Sequence, residues 1–223
     1  MKSNPAKEFL YILLILVPYC YLAFIYSGLP ESVPTHFGSN GEINGWSSRQ
    51  SLWLIPAGLP LGFYLLFFLL PIIDPKQKLK SGSGKFEHIR FILVLFLTGL
   101  ACFTLYISKN QSMQHLDKFM FAFMGLFLAA LGNFFPSLKA NYFIGIRSPW
   151  TLENETVWKK THQFAGKLWV AGGLLLAVLA FLPRITFIGK ITVPLILILA
   201  LAPVVYSYII WRKLKKETAG PAQ

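Results

Sequence analysis

NYFIGIRSPWTLENETVWKKTH, residues Asn141 to His162, lies between two apolar segments and holds much of the chain's unusual chemistry. Gly145 permits a backbone turn, Pro149 disfavours helix at Ser148, and Thr151 or Asn154 can cap a new helix over Glu153 to Val157. From Val157 onward, Trp158, His162, Ala165 and Trp169 recur at helical spacing on one face. Lys159, Lys160, Gln163 and Lys167 fall largely on the other. The segment is expected to bend, stop and restart as an amphipathic ramp into a membrane helix.

The surrounding chain is a membrane protein by composition. Of its 223 residues 55% are hydrophobic and only 13% charged, and the mean hydropathy is +0.55, too apolar for an ordinary soluble domain. A net charge of +12 suggests nucleic acid at first sight. The basic residues sit in short segments between apolar runs, however, so membrane topology accounts for them and no direct nucleic-acid contact is expected. Cys20 and Cys102 each lie inside an apolar run, which gives no support to a disulfide framework or a thiolate metal site. Lys2 and Lys7 precede the first apolar run without a small-x-small cleavage site, so that run reads as a retained span.

A spanning helix needs about 20 predominantly apolar residues, and six runs qualify: 9 to 28, 52 to 73, 89 to 108, 118 to 138, 166 to 184 and 191 to 211. The expected fold is all-α, a polytopic six-helix bundle. With both termini in the cytoplasm, sixteen Lys and Arg residues fall inside and five outside, namely Arg49, Lys109, Lys118, Arg184 and Lys190. That asymmetry follows the positive-inside rule and puts the loop 139 to 163 on the cytoplasmic side. Prolines 18, 56, 60, 71, 183, 194 and 203 are expected to kink or end their spans.

The first external loop, residues 29 to 50, carries turn chemistry at Gly38-Ser39-Asn40-Gly41 and at Asn44-Gly45, as for an ordered cap with room for a short hairpin. Trp46 and Trp53 suit headgroup anchoring, and His36 is either a partner contact or simply solvated. The linker from Asp74 to His88 ends its glycine-rich part in Gly84-Lys85, but Phe86 replaces the hydroxyl residue of a phosphate loop. It reads as a basic linker touching anionic lipid. Gly125, Gly132 and Asn133 in the fourth run suit close helix contact. Asn133 is either interhelical glue or part of a polar pocket continuous with the cytoplasmic loop. The tail WRKLKKETAG is a stop-transfer and lipid-surface element.

Catalytic machinery is not visible. No acidic residue falls in the middle of a run, which weighs against a proton-coupled pump. His36, His88, His115 and His162 lack metal-ligand spacing, and neither a G-x-S-x-G elbow nor paired carboxylates occur. No cofactor or metal is expected. Within the loop, Arg147 can pair with a carboxylate or a lipid phosphate, or else snorkel beside an anchoring Trp150. Glu155 stands four residues before Lys159, a surface pair of small energy.

These residues resemble the SdpI-type bacterial immunity protein family. The resemblance runs through Gly132-Asn133, then Asn141-Tyr142-Phe143-Ile144-Gly145-Ile146-Arg147-Ser148-Pro149-Trp150-Thr151-Leu152, then Val157-Trp158. Leu29 to Phe37 with Gly41, Gly45 and Trp46 also resembles a small domain of unknown function that often precedes the immunity region. The resemblance implies two regions, 1–115 with the cap and 116–223 with the motif loop, in a multi-pass protein of the bacterial cytoplasmic membrane. It implies protection from a secreted toxic peptide and, in some operons, capture of a cytoplasmic autorepressor. It nominates Asn141, Gly145, Arg147, Pro149, Trp150 and Trp158 as a shared cytoplasmic site, beside which Asn133, Thr151, Glu155 and His162 are taken as candidates. Pro34, His36, Asn44 and Trp46 are the candidates in the cap. The alternatives are a small-molecule or lipid transporter or channel, and a membrane enzyme working at the inner leaflet through Arg147 and His162.

Overall fold

The computed structural model describes residues 5–37, 43–73, 84–111, 117–182 and 188–218. The expected turn at Gly38 to Gly41, most of the basic linker, the connector with His115, and Pro183 with Arg184 lie outside the described residues. Six helices are long and apolar enough to cross a membrane: Pro5–Gly28, Arg49–Ile73, Phe86–Asn110, Lys118–Ser137, Glu155–Leu179 and Lys190–Glu217. They are called the first to sixth spans below. The chain is a multi-pass membrane protein, and its described residues are helical apart from one small hairpin and short loops. It forms two compact units, Met1–Ile73 with Lys80–Met120, and Asp74–Leu79 with Phe121–Gln223.

In the first unit the hairpin pairs β1 (Ser32–Phe37) antiparallel with β2 (Ile43–Ser48). Val33 turns inward and joins Leu22, Ile25, Leu29, Leu52 and Leu105 in one buried cluster. Burying a side chain of this size contributes about 1.5–3 kcal/mol, so the cap is fastened to the helix ends by its own apolar residue. The second span is irregular where its prolines fall. It runs as a 3₁₀ turn (Arg49–Trp53), one α turn (Leu54–Pro56), a π turn (Ala57–Leu61) and an α-helix (Gly62–Ile73). Pro56 and Pro60 have no N–H to give the helix ladder, and the wider turn follows. By contrast, the helices continue past Pro18, Pro71, Pro194 and Pro203.

Three helices of this unit meet at a charge cluster. Arg90, near the start of the third apolar run, is 2% exposed and donates through both terminal nitrogens to Glu8, at 3.0 and 3.1 Å. Its guanidinium lies between the rings of Tyr11 and Tyr64, 4.3 and 4.5 Å from their centroids. Tyr64 donates to Glu8 at 2.7 Å, and Tyr11 donates to the backbone carbonyl of Glu87 at 3.2 Å. Burying a guanidinium is costly unless it is paired and hydrogen-bonded. Here the Glu8 carboxylate, Glu87 at 3.7 Å and two aromatic faces offset that cost at the terminal nitrogens, while Nε is buried without a partner among the described residues.

In the second unit the fourth and fifth spans cross on glycines. A Cβ on Gly125 would stand 2.5 Å from the Gly173 carbonyl oxygen, and one on Gly132 would stand 2.7 Å from the Val170 nitrogen. Gly166 and Gly173 have equally close approaches from the other helix. Seven residues separate the glycines on each helix, so each pair occupies one face and the backbones touch. Asn133 corrects its expected burial: it is exposed and its side chain makes no hydrogen bond to another described residue, so the close contact rests on the glycines. The fifth and sixth spans pack through Phe164 stacked on Tyr206 at 4.4 Å, and Trp169 donates its indole N–H to the Leu199 carbonyl at 2.8 Å.

Candidate functional site

The loop after the fourth span is built by side chains that turn inward. Phe135–Ser137 closes that span as a 3₁₀ turn, and the chain then winds around Asn141, which is 3% exposed. The Asn141 carboxamide oxygen accepts the N–H groups of Phe143 and Ile144 at 2.9 and 2.7 Å. Its nitrogen donates to the carbonyls of Lys139 and Ile144 at 2.8 and 3.0 Å. A short polar side chain bonding its own backbone a few residues on holds a turn in this way.

Gly145 follows at φ +114°, where an L side chain is strained, and a Cβ there would lie 2.5 Å from Nε2 of His162. The vacant space admits the histidine. His162 Nε2 accepts the Ile146 N–H at 3.0 Å, and its Nδ1 lies 2.8 Å from the Trp158 carbonyl oxygen. An acceptor at one nitrogen and a donor at the other define the neutral ring with its proton on Nδ1. The ring stacks on Trp158 at 4.0 Å, and the Trp158 indole donates to the Leu138 carbonyl at 2.8 Å. With both nitrogens engaged and 1% exposure, His162 holds the loop from below. Among the described residues no three metal-binding side chains cluster.

The next bend is a short helix, Pro149–Glu153, that the sequence reading did not resolve from the helix after it. Ser148 caps it. Thr151 returns the bond by accepting the Ser148 N–H at 2.9 Å, and its hydroxyl donates to the Ile146 carbonyl at 2.9 Å. Asn154 then accepts from Thr156 and Val157 at 2.9 and 3.0 Å and caps the fifth span, as one of the two expected caps. Beyond it Trp158, His162 and Ala165 are buried and Trp169 is half-buried, while Lys159, Lys160, Gln163 and Lys167 are exposed, the division the helical spacing predicts.

Two contacts dock this assembly on the sixth span. The hydroxyls of Ser148 and Ser207, both buried, lie 2.9 Å apart, and Ser207 donates to the Val204 carbonyl at 2.6 Å. Trp150 packs on Tyr208 and Trp211, with ring centres 5.0 and 6.2 Å away. Sequence reasoning missed Ser207, Tyr208 and Trp211 as members of this site. A hydroxyl inside an apolar span was the available signal for Ser207, since such groups bond across helices.

The loop turns outward Lys139, Tyr142, Arg147, Pro149, Glu153 and Glu155. Arg147 donates to the Tyr142 carbonyl, and no described carboxylate lies within ion-pair range of it. A planar guanidinium so placed retains donors for a carboxylate or phosphate from elsewhere. The cap candidates divide similarly. Pro34 is buried, and its carbonyl accepts the Ser108 hydroxyl at 3.2 Å. The hairpin brings exposed His36 and Asn44 side by side, His36 Nδ1 against Asn44 Oδ1, with Gly45 giving His36 its room. Trp46 is 53% exposed.

The SdpI/YfhL protein family model matches residues 137–208, the motif loop with the two spans that hold it, and a domain of unknown function (DUF1648) matches residues 13–59. Immunity protein SdpI of Bacillus subtilis (strain 168) is 30% identical over 201 residues, which cover 90% of this chain and 92% of that protein. An uncharacterized protein of Archaeoglobus fulgidus is 44% identical over 46 residues, 21% of this chain and 25% of that protein. No solved structure matches. With identity at that level across nearly the whole length of a relative, and the family model on the motif loop itself, this chain belongs to the SdpI/YfhL protein family.

Proposed function

We propose that this protein confers immunity: it lets the cell that makes it withstand a secreted toxic peptide, by recognition and without bond-making. Membership of a family that includes a protein named for immunity supports the general role. The observation that carries the finer reading is the division of labour in the motif loop. Asn141, Thr151, Trp158 and His162 are buried and fully engaged in holding the backbone, while Arg147 is presented outward. In this reading the loop faces the cytoplasm, the hairpin faces outside, and toxin shifts the balance between two helix packings. One packing presents Arg147 and its neighbours to a cytoplasmic repressor. The test is survival: a strain deleted for this gene, exposed to culture fluid of its parent, is expected to die and to be rescued by the gene on a plasmid. Equal survival of deleted and parental strains speaks against immunity.

A second reading, transport of a small molecule or lipid, has one observation in its favour. Arg90, Glu8 and the tyrosines form a buried polar cluster joining three spans, and ionisable groups inside a membrane bundle often mark a substrate path. Flux through proteoliposomes holding the purified protein separates the two readings, because immunity by recognition predicts none.

A further inference from the structure

The sixth span carries two features on one face that belong together. Ile198, Leu201, Val205 and Ile209 are 55–58% exposed and recur every three or four residues, forming an apolar rail along the helix. The same stripe continues into Arg212 and Lys216, both exposed, with exposed Lys213 beside them. At the junction Tyr208, Ile209, Arg212, Lys213 and Lys216 line an open groove of about 410 Å³. One wall is braced by Trp150 and Trp211 packed on Tyr208, and the Lys215 ammonium stands 5.2 Å from the Trp211 ring. Glu217 is the acidic residue of this last turn.

We propose that this groove binds the headgroup of an anionic phospholipid, with an acyl chain lying along the apolar rail. The chemistry on the two sides matches. A phosphodiester has the charge and the acceptor oxygens for Arg212, Lys213 and Lys216, and indole and phenol rings sit well at headgroup depth. An acidic peptide would leave the rail uncovered, and a zwitterionic headgroup would bring its own cation against three others. Basic pockets at the ends of spans take anionic headgroups for this reason. Because Trp150 comes from the motif loop, lipid in the groove bears on the wall that docks the loop.

The test uses the full-length protein in detergent micelles with equimolar phosphatidylglycerol and phosphatidylcholine, read by native mass spectrometry. The wild type is expected to retain phosphatidylglycerol at least about tenfold over phosphatidylcholine. The triple variant R212Q/K213Q/K216Q should lose that preference, whereas K159Q/K160Q/K167Q, which removes equal charge from the fifth span, should keep it. Absence of preference in the wild type, or equal loss in both triples, shows diffuse charge only and overturns the site. Should the first triple fail to accumulate, Ile209→Glu places a single carboxylate in the groove and is expected to cause the same loss. Wild-type retention in Ile209→Glu also overturns the proposal.

Discussion

Asn141 places four hydrogen bonds inside one loop, two accepted and two donated. Replacing it with alanine strands the N–H groups of Phe143 and Ile144 together with two carbonyls. At roughly 1 kcal/mol net for each bond, Asn141→Ala is expected to cost about 2–4 kcal/mol. The readout is the unfolding of detergent-solubilised protein, with Asn141→Asp, which keeps only the acceptors, falling between. Gly145→Ala fails for another reason: its φ of +114° strains any side chain, and the new methyl meets His162 Nε2. Its expected signature is faster trypsin cleavage after Arg147 at unchanged insertion, and wild-type cleavage would contradict the packing described here. At this scale the sequence showed that Gly145 permits a turn but not why one is required. The reason is the His162 ring, which is bonded to Ile146 sixteen residues before it in the chain, and a contact of that separation has no local pattern. Asn133 went the other way. A polar residue amid apolar ones suggested burial, but the rotation of the fourth span is set by Gly125 and Gly132, and this turns Asn133 outward.

The spans themselves were legible because hydrophobic length is a local quantity, and the ramp from Val157 was legible because buried and exposed residues alternate with helical period. The short helix Pro149–Glu153 was not, since five residues give no period, and neither was the π turn that Pro60 imposes. Helix against helix, the glycine faces make the sharpest prediction. Gly132→Val puts branched carbon where even a bare Cβ would stand 2.7 Å from the Val170 nitrogen, so the fourth and fifth spans must separate. Overpacking of this kind costs about 1–3 kcal/mol, and Gly28→Val, where an added Cβ would meet nothing within 4 Å beyond its chain neighbours, is the control expected to be nearly silent. The loop and the sixth span are joined more lightly. Ser207→Ala removes one buried hydroxyl partner of Ser148 and is expected to cost about 1 kcal/mol, seen as a small shift in unfolding without loss of the protein from membranes.

For the molecule as a whole, the first unit depends on a charge pair 82 residues apart in the chain, and a pairing at that separation leaves no local pattern in the sequence. Arg90→Ala leaves Glu8 facing two tyrosines without its cation. Breaking a buried pair in this way costs about 3–5 kcal/mol, so the variant is expected to reach the membrane poorly and to unfold early. The second unit spends its buried polar groups differently, on the shape of a loop that carries Arg147 outward. That difference separates fold from recognition and makes the central claim testable. Arg147→Ala, expressed to the wild-type membrane level with an unchanged unfolding curve, is expected to lose protection against the toxic peptide that the wild type survives. Full protection by Arg147→Ala at that same level would contradict the account.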